Sequence, residues 1–472
     1  MVYHRLSTSV PRFAGLNVTV MGLGFFGGGV GVARFLAQRG ARVTVTDAKP
    51  ESELADSIER LRGLDIRYVL GRHEEKDFSG ADLVIFSPAI DPSSPYLKLA
   101  KELDTEMNLF FKLCRARSII GITGSNGKTT TAVLAYEVAR RIHDERAWLG
   151  GNVGISLLES IDAIQPNDLI VLEMSSFQLE ALRALRRSPT ASVVTNLTPN
   201  HLDRHGTLLA YAEAKRAILD YQRASDVAVL NMDDPIVRAM PHRGRRMGFS
   251  LTEAQFEGAW ASRSMKSVHV SDGAITHEID IAGRRLLGAF NVQNMLAAAA
   301  ATHGACSHRP TEWARACSEV FRSFPGVEHR LEFVGEVNGV TFYNDSIATN
   351  PDSTIAALDA LPGPFVVILG GFDKQLPFEA LAKKIAERNV RCVVLMGQAS
   401  SKIRTVLETL PAPPPMEVVK TLADAVRVCA SKACPRDQVL LSPACASFDQ
   451  FRNFVERGHL FKQLVRELRA AV

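Results

Sequence analysis

The chain has 472 residues, 46% apolar and 22% charged, which excludes a largely disordered polymer and exceeds what one hydrophobic core organises; two to four domains are expected. Its formal net charge of +4 comes without any long basic block, so nucleic acid is not favoured as a partner, while a mild cationic excess suits an anionic substrate. The seven cysteines are odd in number and hold no C-x-x-C pair, which argues against a disulfide framework or zinc knuckle and fits a reducing compartment best.

In chain order, the β-branched run Asn17–Met21 predicts a first strand, followed by a glycine cluster, a helix over 32–39 and a second strand over 43–46. The start of the chain lacks the apolar core of a signal peptide. Leu83–Phe86 predicts a further strand, stopped by Ser87-Pro88. A second block opens with a strand over 118–123 and continues with strands over 169–172, 192–195 and 227–230, a hairpin over 268–281 turning at Ser271-Asp272-Gly273, and an alanine-rich helix over 294–302. The run from Met295 to Ala301 is too short to span a bilayer, so a cytoplasmic protein with no membrane partner is expected. A third block begins near Phe324-Pro325-Gly326, with strands over 365–369, 393–396 and 439–441 and a proline-rich surface linker over 411–415. Strands alternating with helices predict an α/β chain of mostly parallel sheets with crossover helices.

Two glycine-rich turns carry the chemistry. Gly121-Ile-Thr-Gly-Ser-Asn-Gly-Lys-Thr-Thr130 receives a strand and launches a helix. Glycines let backbone N–H groups turn inward around phosphate oxygens, and the helix N-terminus adds partial positive charge. Gly124, Ser125, Asn126, Gly127, Lys128, Thr129 and Thr130 are therefore the candidate ATP loop, with Lys128 reaching the terminal phosphates and the Thr129 hydroxyl ligating magnesium. The common phosphate-loop pattern wants a glycine at 122, where Ile stands. Gly22-Leu-Gly-Phe-Phe-Gly27 fits G-x-G-x-x-G after a strand, and Asp47 lies at the end of the next one. That spacing reads as a dinucleotide fingerprint with Asp47 on a ribose, as a seat for the diphosphate of a UDP group, or as a plain tight turn with close helix packing.

The segments Thr123 to Thr130, Glu173-Met-Ser-Ser-Phe-Gln178, Asn196-Leu-Thr-Pro-Asn-His-Leu-Asp203, Asn291 to Asn294, Glu328-His-Arg-Leu331, Asn344-Asp-Ser346 and Ser442-Pro-Ala-Cys-Ala-Ser-Phe-Asp-Gln-Phe451 together resemble the Mur ligase family, in order and over almost the whole chain. The resemblance implies three domains: a UDP-binding Rossmann-like domain over 1–114, a central P-loop ATPase-like domain over 115–323 and a glutamate-binding Rossmann-like domain over 324–472. It implies an ATP-dependent, monomeric ligase of peptidoglycan precursor synthesis. The carboxylate of UDP-N-acetylmuramoyl-L-alanine is phosphorylated and then attacked by the amino group of glutamate. Such a reaction needs charge neutralisation and alignment more than a protein nucleophile.

By the same resemblance, Lys128, Glu173, His201 and Lys215 form the catalytic set. Thr129, Glu173, His201 and Lys215 hold two Mg2+ ions, with Lys215 carbamylated so that a cation becomes an anionic ligand. Asn291, Asn294, Arg330 and Asp345 join the ATP loop. Gly22, Leu23, Gly24, Phe25, Asp47, Asn152, Ser175 and Gln178 meet the UDP-linked substrate. Lys374, Ser447, the Phe448 backbone and Phe454 meet glutamate. His205 falls outside the matching pattern and is read as a surface residue. Ile347 stands where the family pattern carries Lys, which leaves D- against L-glutamate open. Another ligase of folylpolyglutamate type is a nearer alternative. A NAD-dependent dehydrogenase built on Gly22 to Asp47 is an alternative of a different class, and it leaves Lys128 and Glu173 unexplained.

Overall fold

Three sheets carry the chain, and each places its turns of interest at the carboxyl ends of parallel strands. The structure is a computed structural model that describes residues 5–9, 12–24, 27–143, 146–254, 257–306 and 309–470, without the side chains of Leu202 and Asp203.

The first sheet is wholly parallel, with β1 (Asn17–Met21), β2 (Arg42–Asp47), β3 (Ile66–Leu70), β4 (Leu83–Phe86) and β5 (Leu103–Asp104) in the order β3-β2-β1-β4-β5. All four residues of β4 are buried, as expected of a parallel strand covered on both faces. The strand order reverses at β1, so the glycine turn that follows it sits at a topological switch point.

The second sheet comprises β6 (Ser118–Thr123), β7 (Ala147–Gly151), β8 (Leu169–Glu173), β9 (Ala191–Val194), β10 (Val227–Asn231), β11 (Arg245–Ser250), β12 (Glu257–Ala261), β13 (Ser267–Asp272) and β14 (Thr276–Asp280). Their order is β14-β13-β12-β11-β10-β9-β6-β8-β7, parallel from β12 to β7 and closed at the other edge by the antiparallel strands β13 and β14. β6 is central, with β9 on one side and β8 on the other. Three loops therefore meet around its carboxyl end.

The third sheet holds β15 (Glu332–Val337), β16 (Val340–Asn344), β17 (Phe365–Gly370), β18 (Val390–Met396), β19 (Met416–Val418) and β20 (Gln438–Leu441), ordered β15-β16-β20-β17-β18-β19. Alternate residues of β17 feed two cores. Phe365, Val367 and Leu369 pack with Leu395 and Leu440 on one face, while Val366 and Ile368 pack with Phe342 and Phe461 on the other. Period-two alternation into apolar matter on both sides identifies a doubly covered sheet. Each such fully buried side chain contributes about 1.5–3 kcal/mol of transfer free energy.

The first two sheets share one apolar core, to which Phe35, Leu109, Leu157 and Leu172 all belong. By contact density the chain falls into two compact units. One holds the chain up to Gly283 together with Asn291–Arg322; the other holds Arg284–Phe290 and the chain from Ser323 onward. Among the described residues, no helix is long and apolar enough to cross a membrane.

Candidate active site

The turn after β6 is shaped by its glycines. Gly124 has φ 147°, and a Cβ there would lie 1.9 Å from the Thr195 hydroxyl. Gly127 has φ 81°, and a Cβ there would lie 2.3 Å from Asn294 Oδ1. Neither position tolerates a side chain, and both conformations favour glycine. The loop after β9 braces the turn: Ser125 N–H donates to Asn196 O and Asn126 N–H to Asn196 Oδ1, both at 2.9 Å, while Thr195 Oγ1 donates to Asn126 O at 2.6 Å. Lys128 opens the helix Lys128–His143 and donates to Ser125 O at 2.8 Å. Arg140 and Arg141 close that helix, where cations interact favourably with its dipole. Asn294 accepts from Thr131 Oγ1 at 3.3 Å and donates to Asn291 Oδ1 at 3.2 Å, so both asparagines stand directly behind the turn.

Glu173 ends β8, one strand over, and is 2% exposed. A carboxylate buried this deeply is costly unless satisfied. Its Oε2 accepts from Thr129 Oγ1 at 2.6 Å and its Oε1 from Asn152 Nδ2 at 2.8 Å. Two hard oxygen donors thus stand side by side at the mouth of the turn, a donor set that fits Mg2+. Ser175 caps the helix Ser176–Leu182 in a reciprocal capping box with Gln178, so these two side chains are tied to each other and to the helix end.

Lys215 lies in the last turn of the helix Leu208–Arg216, which Thr207 caps. It is 1% exposed and donates to Thr123 Oγ1 at 3.3 Å. Burial depresses its pKa well below the ordinary lysine value; the nearby Lys128 charge acts in the same direction and Glu173 against it. Lys215, Lys128 and Glu173 are therefore electrostatic neighbours. His201 is exposed, with φ 52°, and its ring lies 5.3 Å from that of Phe177 and 6.4 Å from that of Tyr211.

In the first sheet, the β1 turn is braced by an anion. Asp47 Oδ2 accepts from the N–H of Leu23 at 2.8 Å and of Gly24 at 3.3 Å. Gly29, inside the following helix Gly28–Gln38, is packed so closely that a Cβ would come within 2.3 Å of Leu23 O. The close-packed turn among the readings of this motif is thus present. The site also reaches the second sheet, because a Cβ on Gly27 would lie 2.7 Å from Gly154 O, in the loop that carries Asn152. Phe25, expected among the substrate contacts, lies outside the described residues.

In the second compact unit, Asp345 follows β16 and accepts from Leu331 N–H at 3.1 Å and Ser442 Oγ at 2.8 Å. Burial raises its pKa to about 7, against those hydrogen bonds and the charges of Arg330 and Arg457. Glu328, His329 and His459 also converge, but Lys462 pairs with Glu328 and the Asn344 amide donates to His329 Nδ1 at 2.9 Å. That cluster is tied into an ion-pair network next to Arg330 in the chain, in which Lys462 pairs with both Glu328 and Glu332. Lys374 is exposed on the loop after β17, Ser447 is buried on the loop after β20, and Phe454 opens the helix Phe454–Ala470, its carbonyl accepting from Ser346 Oγ at 2.7 Å.

The chain is 40% identical to the UDP-N-acetylmuramoylalanine–D-glutamate ligase of Roseiflexus sp. (strain RS-1), over 96% of this chain and 99% of that protein. It is also 40% identical to the protein of the same name from Acetivibrio thermocellus, over 99% of each. The chain belongs to the Mur ligase family. Residues 16–108 match the Mur ligase MurD-like N-terminal domain, 122–302 the Mur ligase middle domain and 329–445 the Mur ligase glutamate ligase domain. Among solved structures, the UDP-N-acetylmuramate-alanine ligase MurC of Thermotoga maritima aligns with TM-score 0.63 at 18% identity, over 96% of this chain and 99% of that one. The Mur ligase fold of three domains with mostly parallel sheets is thus the fold of this chain.

This Mur ligase departs from the sequence reading at His205. Its side chain is 3% exposed, bonded to Ser176 Oγ at 3.0 Å and stacked on Phe177, so it is an interior residue rather than a surface one. Two residues escaped sequence reasoning. Tyr211 is a hub: its hydroxyl lies 3.5 Å from Ser125 Oγ and its ring 4.6 Å from Lys215 Nζ. Arg457 is 1% exposed and binds Ser346 Oγ, Ser346 O, Cys445 O and Ala446 O, joining the loops after β16 and β20. A signal existed, since Arg457 lies four and eight residues before Phe461 and Val465 on the buried face of its helix.

Proposed function

We propose that this Mur ligase joins D-glutamate to UDP-N-acetylmuramoyl-L-alanine, with ATP consumed and ADP and phosphate released, in peptidoglycan precursor synthesis. The structural observation that supports it most is the 2.6 Å pair of Thr129 and Glu173 beside the Lys128 turn, in a chain 40% identical to ligases of that name. The dehydrogenase alternative leaves this arrangement without a use.

In the proposed mechanism an oxygen of the substrate carboxylate attacks the γ-phosphorus while the bond from phosphorus to the ADP oxygen breaks, which gives an acyl phosphate and ADP. The neutral amine of D-glutamate then adds to the acyl carbon, its proton leaves to solvent, and phosphate departs with the electron pair of the C–O bond. Lys128 and the loop amides neutralise the phosphate oxygens, and Asn291 and Asn294 support the nucleotide behind the turn. Thr129 and Glu173 would hold Mg2+, which when bound supplies positive charge to the phosphates. Lys215, whose pKa burial lowers, would offer an amine lone pair to CO2 and lose a proton to become a carbamate. With His201 it would complete a second metal site. Asn152, in the loop beside Gly27, and the Ser175–Gln178 cap position the sugar-linked acid, and the β1 turn receives the UDP group. Arg330 and Asp345 are proposed ATP contacts, and Lys374, Ser447 and Phe454 glutamate contacts.

The test is phosphate release by the purified chain with ATP, Mg2+ and UDP-N-acetylmuramoyl-L-alanine, comparing both glutamate enantiomers. Release that depends on D-glutamate supports the proposal. Release with L-glutamate alone, or without regard to any amino acid, overturns it.

A further inference from the structure

Two large phenyl rings stand in solvent at the carboxyl end of the third sheet. Phe372 follows β17 and is 37% exposed; Phe448 follows the adjacent strand β20 and is 64% exposed. Their centroids are 6.2 Å apart at an interplanar angle of 69°, an edge-to-face pair. The backbone beneath them is locked. Phe372 N–H donates to Ala446 O at 2.9 Å, and Gly371, with φ 138°, passes so near that a Cβ would lie 2.2 Å from the same oxygen. Beyond Phe372, Asp373 accepts from Gln375 N–H at 2.7 Å and pairs with Lys402 at 3.5 Å, which fixes the segment leading to Lys374. On the other loop the Ser447 carbonyl accepts from the N–H groups of Gln450 and Phe451 at 3.1 and 2.8 Å.

Single exposed apolar side chains are ordinary, but a rigid pair on two stapled loops, flanked by a lysine and a buried serine, is a shaped apolar surface. Glutamate carries two carboxylates joined through two side-chain methylenes, so its recognition takes cationic and hydroxyl groups for its ends and apolar cover for its middle. We infer that Phe372 is a specificity-determining residue of the amino-acid site, its ring forming with that of Phe448 an apolar wall against the methylenes of the incoming glutamate. This rests on the glutamate-ligase reading above.

The experiment measures kinetics of the full chain for D-glutamate and for D-aspartate, which is one methylene shorter. Phe372→Ala should raise KM for D-glutamate about tenfold, with KM for ATP and the UDP-linked substrate held within about twofold. The preference for D-glutamate over D-aspartate should narrow, Phe372→Leu should restore most of the loss, and Phe448→Ala should weaken D-glutamate binding in a way that is non-additive with Phe372→Ala. Parent enzyme that uses D-glutamate while a folded Phe372→Ala keeps its KM and its preference overturns this inference alone. If the Phe372→Ala protein fails to fold, Phe448→Ala tests the same wall from the other loop, and an unchanged KM and preference there overturn it equally. A parent enzyme that shows no glutamate-dependent phosphate release overturns the underlying function as well.

Discussion

The turns after β1 and β6 begin alike and end with opposite electrostatics. Each leaves a buried parallel strand, passes through glycines with positive φ and enters a helix of eleven residues or more. After β1, the Asp47 carboxylate takes up the N–H groups of Leu23 and Gly24, and Gly29 lies hard against the turn. After β6, asparagines do the bracing, while Lys128 and the Thr129–Glu173 pair bring charge and the oxygens proposed to ligate Mg2+ to the mouth. Glycine spacing therefore reports where backbone must pass closely, and the neighbouring side chains decide what can bind there. The same contrast explains why G-x-G-x-x-G left three readings open while the loop around Lys128 did not.

The largest expected effect breaks the second turn at its charge. Lys128→Ala should lower ligation by about a thousandfold with the melting temperature unchanged, because the cation serves the phosphates rather than the core. Turnover near that of the parent would erase the proposed difference between the turns. The next effect is at Lys215: Lys215→Ala should cost about a hundredfold, with partial rescue by small carboxylic acids that stand in for the proposed carbamate. Parental rates without additive would remove the carbamate. The sign of its pH effect also follows. In carbamate-free protein, burial lowers the folded-state pKa, so the unfolded chain binds a proton that the folded chain does not. Stability then rises with pH toward the ordinary value of 10.5, and Lys215→Met, followed by melting temperature against pH, should flatten that rise.

Much of this was legible in the sequence where one physical signal dominated. Asn17–Met21, Leu83–Phe86 and Ser118–Thr123 are short apolar, β-branched runs bounded by breakers, and they are strands β1, β4 and β6 over the same residues. Strands β7 and β15 gave no such signal: Ala-Trp-Leu-Gly-Gly is glycine-rich, and Glu-Phe-Val-Gly-Glu-Val interrupts an apolar pattern with charge at an antiparallel edge. In the site, the apolar run over 169–172 was readable as a strand, and the resemblance singled out Glu173, which ends β8. The burial of His205 between Phe177 and Tyr211, the position of Asn294 against Gly127 and the carbonyl cage of Arg457 arise from chain segments far apart in sequence, which local pattern does not encode.

Steric packing behind the β1 turn offers a sharper contrast within a single dipeptide. Gly29→Ala should destabilise the first unit by about 2–3 kcal/mol, since its Cβ meets backbone carbonyls at 2.3 and 2.6 Å. Gly28→Ala, with nothing within 4 Å of the added Cβ, should be neutral or gain about 0.5 kcal/mol from helix propensity. Equal effects in urea unfolding would mean that the close approach is not what keeps Gly29.

The smallest expected effect isolates the anion that distinguishes the first turn from the second. Asp47→Ala leaves the buried Leu23 N–H without its acceptor, which costs about 1–2 kcal/mol in folding stability. Catalytically, the same change should raise KM for the UDP-linked substrate and leave KM for ATP unaltered, because the ATP loop is built from other strands. If Asp47 merely repelled a diphosphate, its removal would instead lower that KM, since N–H groups freed from the carboxylate would become available to phosphate oxygens. Direction of change therefore separates a carboxylate that holds the turn in binding form from one that competes with the ligand, and stability measured on the same variant shows whether the turn has kept its shape.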